Sequence, residues 1–155
     1  MHPVLRLPLL VPLLILAVLA GCAGAPKPTV VKAILNAHSS VNPDVRNRPS
    51  PVTVRIYGLK SRAAFDSADF FSLYDKDKET LGADLLDKDE FQLMPGENRP
   101  FEKQFSPETR YLGVVAAFRD LERAQWRTTV AIVPNQVSTI QVKLERNSVT
   151  IHNKE

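Results

Sequence analysis

From residue 30 onward, apolar side chains recur mainly at every second position, the period of strands with one dry and one wet face. Residues 30–37 are rich in β-branched and aliphatic side chains and stop at a polar, proline-bearing segment, 39–51. Val52, Val54 and Ile56 alternate with Thr53, Arg55 and Tyr57, which predicts a half-buried strand. Phe91 and Leu93 alternate with Glu90 and Gln92 before a Pro95-Gly96 turn. Residues 111–118 are nearly all apolar, the signature of a central strand covered on both faces. Residues 126–133 mix β-branched side chains with Trp126 and stop at Pro134-Asn135. Ile140, Val142 and Leu144 alternate with Gln141, Lys143 and Glu145, and residues 149–151 make a short last strand after the 146–148 turn. One stretch breaks the period: Phe65, Ala68, Phe70, Leu73 and Tyr74 predict a helix over 62–74 capped by Ser61, with a pair of short turns as the alternative. Residues 81–86 read as a further short strand. Seven to eight short strands joined by turns, with one helical insertion, predict an all-β fold in which two sheets pack as a sandwich.

The N-terminus follows another rule. Arg6 precedes an apolar run over residues 7–20 that is 14 residues long. That fits a signal-peptide core and falls short of the ~20 residues needed to cross a bilayer. The run closes on Leu19, Ala20, Gly21 and Cys22, and Cys22 is the only cysteine of the chain. This resembles a bacterial lipoprotein signal, which is cut before the cysteine. The resemblance implies removal of residues 1–21 and a covalent lipid (diacylglycerol and an N-acyl chain) on Cys22. Several long acyl chains on one residue hold essentially irreversibly, since each buried methylene contributes ~0.8 kcal/mol. Acylation also removes the one thiol from an oxidising compartment, leaving the domain without a disulfide. Ala23 stands where an Asp would resemble an inner-membrane retention signal, so the expected site is the outer membrane, facing the periplasm. Residues 22–29 form the acylated N-terminus and a linker, and Pro26 and Pro28 stiffen it to a reach of roughly 20 Å. Residues 30–155 make one domain with a single core.

Charge narrows the function classes. The signal carries one arginine and no acid, so the net charge of +3 falls to +2 in the mature chain, with both signs interspersed. This excludes a nucleic-acid footprint. His2 leaves with the signal, and His38 and His152 have no neighbours at metal-ligand spacing. No Gly-x-Ser-x-Gly elbow and no phosphate-cradling glycine pattern occurs. Residues 75–79 interleave lysines with acids and contain no glycine, so they read as a solvated turn rather than a calcium loop. Asp84, Asp87, Asp89 and Glu90 read as a wet strand edge. The expectation is a chain that is not an enzyme, with no metal, no cofactor besides the lipid and no small-molecule substrate.

Two connections stand out. Residues 39–51 form a long loop for a small sandwich, and three prolines restrict its shape. Its Arg46 and Arg48 offer forked donors for a partner's carboxylates or backbone; a rigid crossover between sheets is the plainer reading. Residues 118–127 join two apolar strands. There Trp126 is expected to plug the core, and Arg119 and Asp120 to pair across the turn, while a Trp beside arginines also suits a partner anchor.

Residues 48–57 (RPSPVTVRIY), 65–74 (FDSADFFSLY), 111–121 (YLGVVAAFRDL) and Trp126-Arg127 resemble the type VI secretion lipoprotein family TssJ, also called SciN. The resemblance covers nearly all the mature chain, in order, behind the lipoprotein signal. It implies a transthyretin-like two-sheet β-sandwich with an added helix and a protruding loop, and no enzymatic activity. It also implies a place on the periplasmic face of the outer membrane. The implied partner is the periplasmic C-terminal part of the inner-membrane protein TssM, in a complex that contains TssL. The family's contact loop lies between the first two strands; by position this is Asn42, Pro43, Asp44, Val45, Arg46, Asn47 and Arg48. The alternative is a periplasmic lipoprotein that binds a small ligand or envelope glycan, which a deep apolar pocket with converging polar groups would support.

Overall fold

A computed structural model describes residues 27–154. Cys22, the cleavage residues Leu19, Ala20 and Gly21, and most of the linker lie outside the described residues. Eight strands form two four-stranded sheets. They are β1 (Thr29–Ala37), β2 (Val52–Leu59), β3 (Leu85–Leu93), β4 (Asn98–Phe105), β5 (Tyr111–Ala117), β6 (Arg127–Ala131), β7 (Val137–Leu144) and β8 (Val149–Asn153). The strand orders are β4-β1-β7-β8 and β3-β2-β5-β6, and every neighbouring pair is antiparallel except β1 with β7. The all-β sandwich expected from the alternation is the fold.

The period-two residues meet between the sheets. Val31, Leu35, Val52, Val54, Ile56, Leu112, Val114, Ile140, Val142 and Leu144 form one buried cluster. At ~25 cal/mol per Å² of apolar surface, this inner layer is the main stabilising term. Gly58 belongs to the same inner face because a side chain there would collide with Phe105, whose Cδ1 lies 2.6 Å from a Cβ built on the glycine.

The central strand β5 is dry on both faces, as its apolar run predicts, and β2, read as half-buried, is covered on its outer face too at its Tyr57–Leu59 end. Their outer residues Tyr57, Leu59 and Val115 pack under the helical insertion with Phe65, Leu73 and Leu81. That insertion is not one helix. It is α1 (Ala63–Ser67), α2 (Phe70–Asp75) and α3 (Asp77–Leu81), followed by a 3-10 turn over Gly82–Asp84. The break has a local cause. Asp69 is extended and caps α2, its Oδ1 accepting from the Ser72 amide at 3.0 Å and its Oδ2 from the Ser72 hydroxyl at 2.6 Å. Residues 81–86 accordingly end a helix and open β3 instead of forming their own strand. Residues 75–79 are not a solvated turn either: Asp77 is buried and pairs with Lys88 on β3 at 2.6 Å.

Two arginines fasten the insertion to the sheet. Arg127 donates to the Phe65 carbonyl at 3.0 Å and to the Ala68 carbonyl, closing the end of α1. Arg55 donates to the Tyr74 carbonyl, pairs with Glu90 and lies 3.8 Å from the Tyr74 ring centroid. Trp126 is half-buried where the two apolar clusters meet, edge-on to Phe70 at 5.3 Å. Asp87 and Asp89 do lie on an edge strand, but they face Lys103 of β4 at 3.4 and 2.6 Å and so tie the edges of the two sheets together.

The sequence reading contains no strand at residues 98–105, and β4 is there. Its inward positions are Arg99, Phe101, Lys103 and Phe105, so charge dilutes the apolar alternation, and Pro100 breaks the strand signature. Proline is admissible because β4 is an edge strand.

Candidate functional site

The loop between β1 and β2 folds back on itself as a finger. Val41 is fully buried and anchors its base, and the Ser50 amide donates to the Val41 carbonyl at 3.1 Å. A second rung follows, in which the Asp44 amide donates to the Arg48 carbonyl at 2.9 Å. The Asn47 amide then donates to the Asp44 carbonyl at 2.9 Å and closes the tip. Asn47 takes a φ of +61°, a conformation asparagine tolerates better than most residues.

Asp44 holds the tip from inside. Its Oδ1 accepts from the Arg46 and Arg48 amides at 2.8 and 3.0 Å, and its Oδ2 from Arg48 Nε at 2.8 Å and Nη2 at 2.7 Å. The Arg48 amide, then the Arg48 guanidinium, hold this carboxyl below the ordinary aspartate range. Arg48, though exposed, thereby braces the loop.

Asn42 does a similar job at the base. It is 3 % exposed with φ +49°, its Nδ2 donates to the Pro51 carbonyl at 2.6 Å, and its Oδ1 accepts from the Arg119 amide at 2.8 Å. The seven residues read as partner-binding therefore divide. Asn42 is buried, with its side chain engaged inside the domain. Pro43 and Asp44 are partly exposed, Arg48 is turned to Asp44, and Val45, Arg46 and Asn47 form the exposed tip. Val45 is fully exposed, an unusual position for a valine. Arg46 makes no ion pair among the described residues.

The finger does not stand alone. The Asn42 amide donates to the Arg146 carbonyl at 2.9 Å, and an Arg146 guanidinium nitrogen donates to the Asn47 side-chain oxygen. The Gln125 amide donates to the Asn147 carbonyl at 2.9 Å. The loops after β1, β5 and β7 thus converge at one pole, around an open cleft of about 690 Å³. Arg119 does not pair with Asp120 as expected; Asp120 lies 3.8 Å from Arg123. Arg119, Arg123 and Arg146 line the cleft; the sequence reading places Arg123 in the 118–127 connection and Arg146 in a turn, and brings neither to the 39–51 loop. Their signal was arginine in turns that follow strands running in one direction.

The opposite pole carries the linker. Thr29 opens β1 there, its hydroxyl accepting from the Asn135 amide at 2.9 Å, and the Val30 amide donates to the Gln136 carbonyl at 3.0 Å. The nine residues of β1 separate the poles by about 30 Å at ~3.3 Å per residue. Among the described residues no three His, Cys, Asp or Glu side chains assemble as a metal site, and no helix is long and apolar enough to cross a membrane.

Residues 29–147 match the family model described as type VI secretion lipoprotein, VasD, EvfM, TssJ. The chain belongs to the TssJ family of type VI secretion lipoproteins. It is similar to the T6SS lipoprotein TssJ1 from Pseudomonas aeruginosa, with 39% identity, a TM-score of 0.80, and coverage of 83% of this chain and 98% of that one. It is also similar to Serratia marcescens Lip, a membrane bound component of the type VI secretion system, with 28% identity, a TM-score of 0.71, and coverage of 83% and 99%. A chain in the structure described as the T6SS protein TssM C-terminal domain from EAEC matches with 26% identity, a TM-score of 0.67, and coverage of 79% and 99%. No curated protein matches the sequence. The TssJ family is one of structural lipoproteins rather than enzymes.

Proposed function

We propose that this TssJ-family lipoprotein is the outer-membrane anchor of a type VI secretion membrane complex. Cys22 carries the diacylglycerol and N-acyl chains, which hold the domain on the periplasmic face of the outer membrane. The finger grips the periplasmic C-terminal part of TssM, within a complex that also contains TssL. The observation that carries this reading is the opposition of the two poles: the linker leaves at one end of β1, and the braced finger follows directly at the other. A tether must hold at both ends, and a finger already ordered by Asp44 and Asn42 loses little entropy on docking. A similar chain in a structure described by the TssM C-terminal domain supports the choice of partner.

Two substitutions test it. Cys22→Ser should release the protein from the membrane fraction and stop secretion while the domain still folds. Val45→Asp should raise the Kd for the TssM part at least on the order of tenfold without changing thermal stability, because it would carry an unpaired charge into the contact in place of a fully exposed apolar side chain. Full secretion by the non-acylated protein would overturn the anchor reading, and an unchanged Kd would move the contact away from the finger.

A further inference from the structure

The cleft beside the finger has an electrostatic imbalance. Two carboxylates line it, and neither leaves a free charge for the arginines around them. Asp44 is filled by two amides and the Arg48 guanidinium. Asp120 lies against Arg123. Arg146 donates to a neutral acceptor, the Asn47 side-chain oxygen, so its charge stands uncompensated. Arg119 is pinned by its backbone amide on Asn42, and its guanidinium makes no ion pair among the described residues. Arg46, exposed on the neighbouring finger tip, likewise makes no ion pair among the described residues. Guanidinium groups carry donors only, so whatever enters the cleft must bring the acceptors. Forked donors gathered around one hollow fit planar carboxylates better than any other protein group.

We infer that the arginine-lined cleft formed by the loops after β1, β5 and β7 is a second contact on the docking partner, a socket for an acidic, Asp/Glu-bearing segment of that protein. This rests on the reading that the partner docks at this pole. The finger supplies an apolar anchor through Val45, and the socket supplies charge complementarity from a different part of the chain. The hydrogen bonds between the three loops set the spacing between anchor and socket before the partner arrives. Attraction of this kind acts mainly on the association rate and weakens as salt screens it.

The test is the association rate and Kd of the full lipidated protein, in detergent, for the periplasmic C-terminal part of TssM from the same genome. Between about 50 mM and about 500 mM salt the Kd should rise on the order of tenfold, mostly through association. Arg119→Glu with Arg123→Glu should cost at least on the order of tenfold and reduce that salt dependence, because it reverses the Arg119 charge and strips Asp120 of its partner, leaving Arg146 outnumbered in the cleft. Arg119→Gln with Arg123→Gln should show the same direction at smaller size, which keeps the test alive if the reversed pair folds poorly. Lys154→Glu, at the opposite pole, should change nothing. Binding that the Arg119 and Arg123 variants leave untouched would overturn the socket while the finger contact stood. Failure of the unaltered protein to bind the TssM part at all would overturn both.

Discussion

The Asn42 side-chain oxygen accepts the Arg119 amide at 2.8 Å, a bond between residues 77 positions apart that joins the loop after β1 to the loop after β5. The same side chain donates to the Pro51 carbonyl at 2.6 Å, closing the base of the finger. One buried amide therefore decides where the finger leaves the sandwich.

Asn42→Ala should lower stability by about 2–3 kcal/mol, since it strands two backbone groups and puts alanine at positive φ. Asn42→Gly loses the same bonds without the φ penalty and should be milder by about 1 kcal/mol. Urea unfolding of the two variants measures the difference.

Asp44 predicts an acid-sensitive finger. Its carboxyl titrates below its ordinary value because the Arg48 amide and guanidinium hold the charged form. The order it contributes is complete above about pH 4, the usual carboxylate value, and is lost as pH falls through the depressed one. Amide exchange at Arg46 and Arg48, relative to the unstructured rate, should accelerate only as pH falls below about 4. Asp44→Asn should accelerate it on the order of tenfold at neutral pH, about one hydrogen bond's worth, with little change in the melting temperature.

Tyr57 predicts an alkaline limit. Burial pushes its hydroxyl up to about 12, and that hydroxyl donates to the Leu73 carbonyl at 3.2 Å. In the unfolded chain tyrosine ionises near 10. The contribution is therefore complete below about pH 10 and is lost as pH rises towards about 12. Tyr57→Phe should be less stable at neutral pH and should lose less stability than the parent across that window, as measured by thermal melts.

Gly113→Ala should cost about 1–3 kcal/mol, the usual range for overpacking. A Cβ at Gly113 would lie 2.7 Å from Phe65 Cζ and 2.8 Å from Cε2, and Phe65 is fully buried beneath α1. The measurement is the thermal midpoint, with near-ultraviolet circular dichroism to report the shifted aromatics.

The parts that sequence made plain were those where one interaction dominates. Val52, Val54 and Ile56 alternate because one face is dry, and residues 111–117 are apolar throughout because β5 lies between the core and the helical insertion. What stayed hidden depends on long-range partners. Lys103 and Arg99 point inward on β4 because Asp89 and Glu97 receive them, and no local pattern reveals that. The insertion breaks at Asp69 through a cap that competes with a longer helix. At the candidate site, Asn42 is buried through bonds to Arg119 and Arg146 on distant loops, while Val45 stands exposed on a tip closed by local hydrogen bonds, so neighbours three positions apart in sequence have opposite fates.

Strand β1 begins at the pole where the linker enters and ends where the finger begins, flanked along its length by β4 and β7. Tension between membrane and partner would enter at Thr29 and leave near His38, along covalent backbone. The hydrogen bonds beside it would be loaded in shear, all rungs together, rather than unzipped one at a time. A small domain built this way can serve as a rivet under repeated mechanical strokes without needing a disulfide to keep it closed.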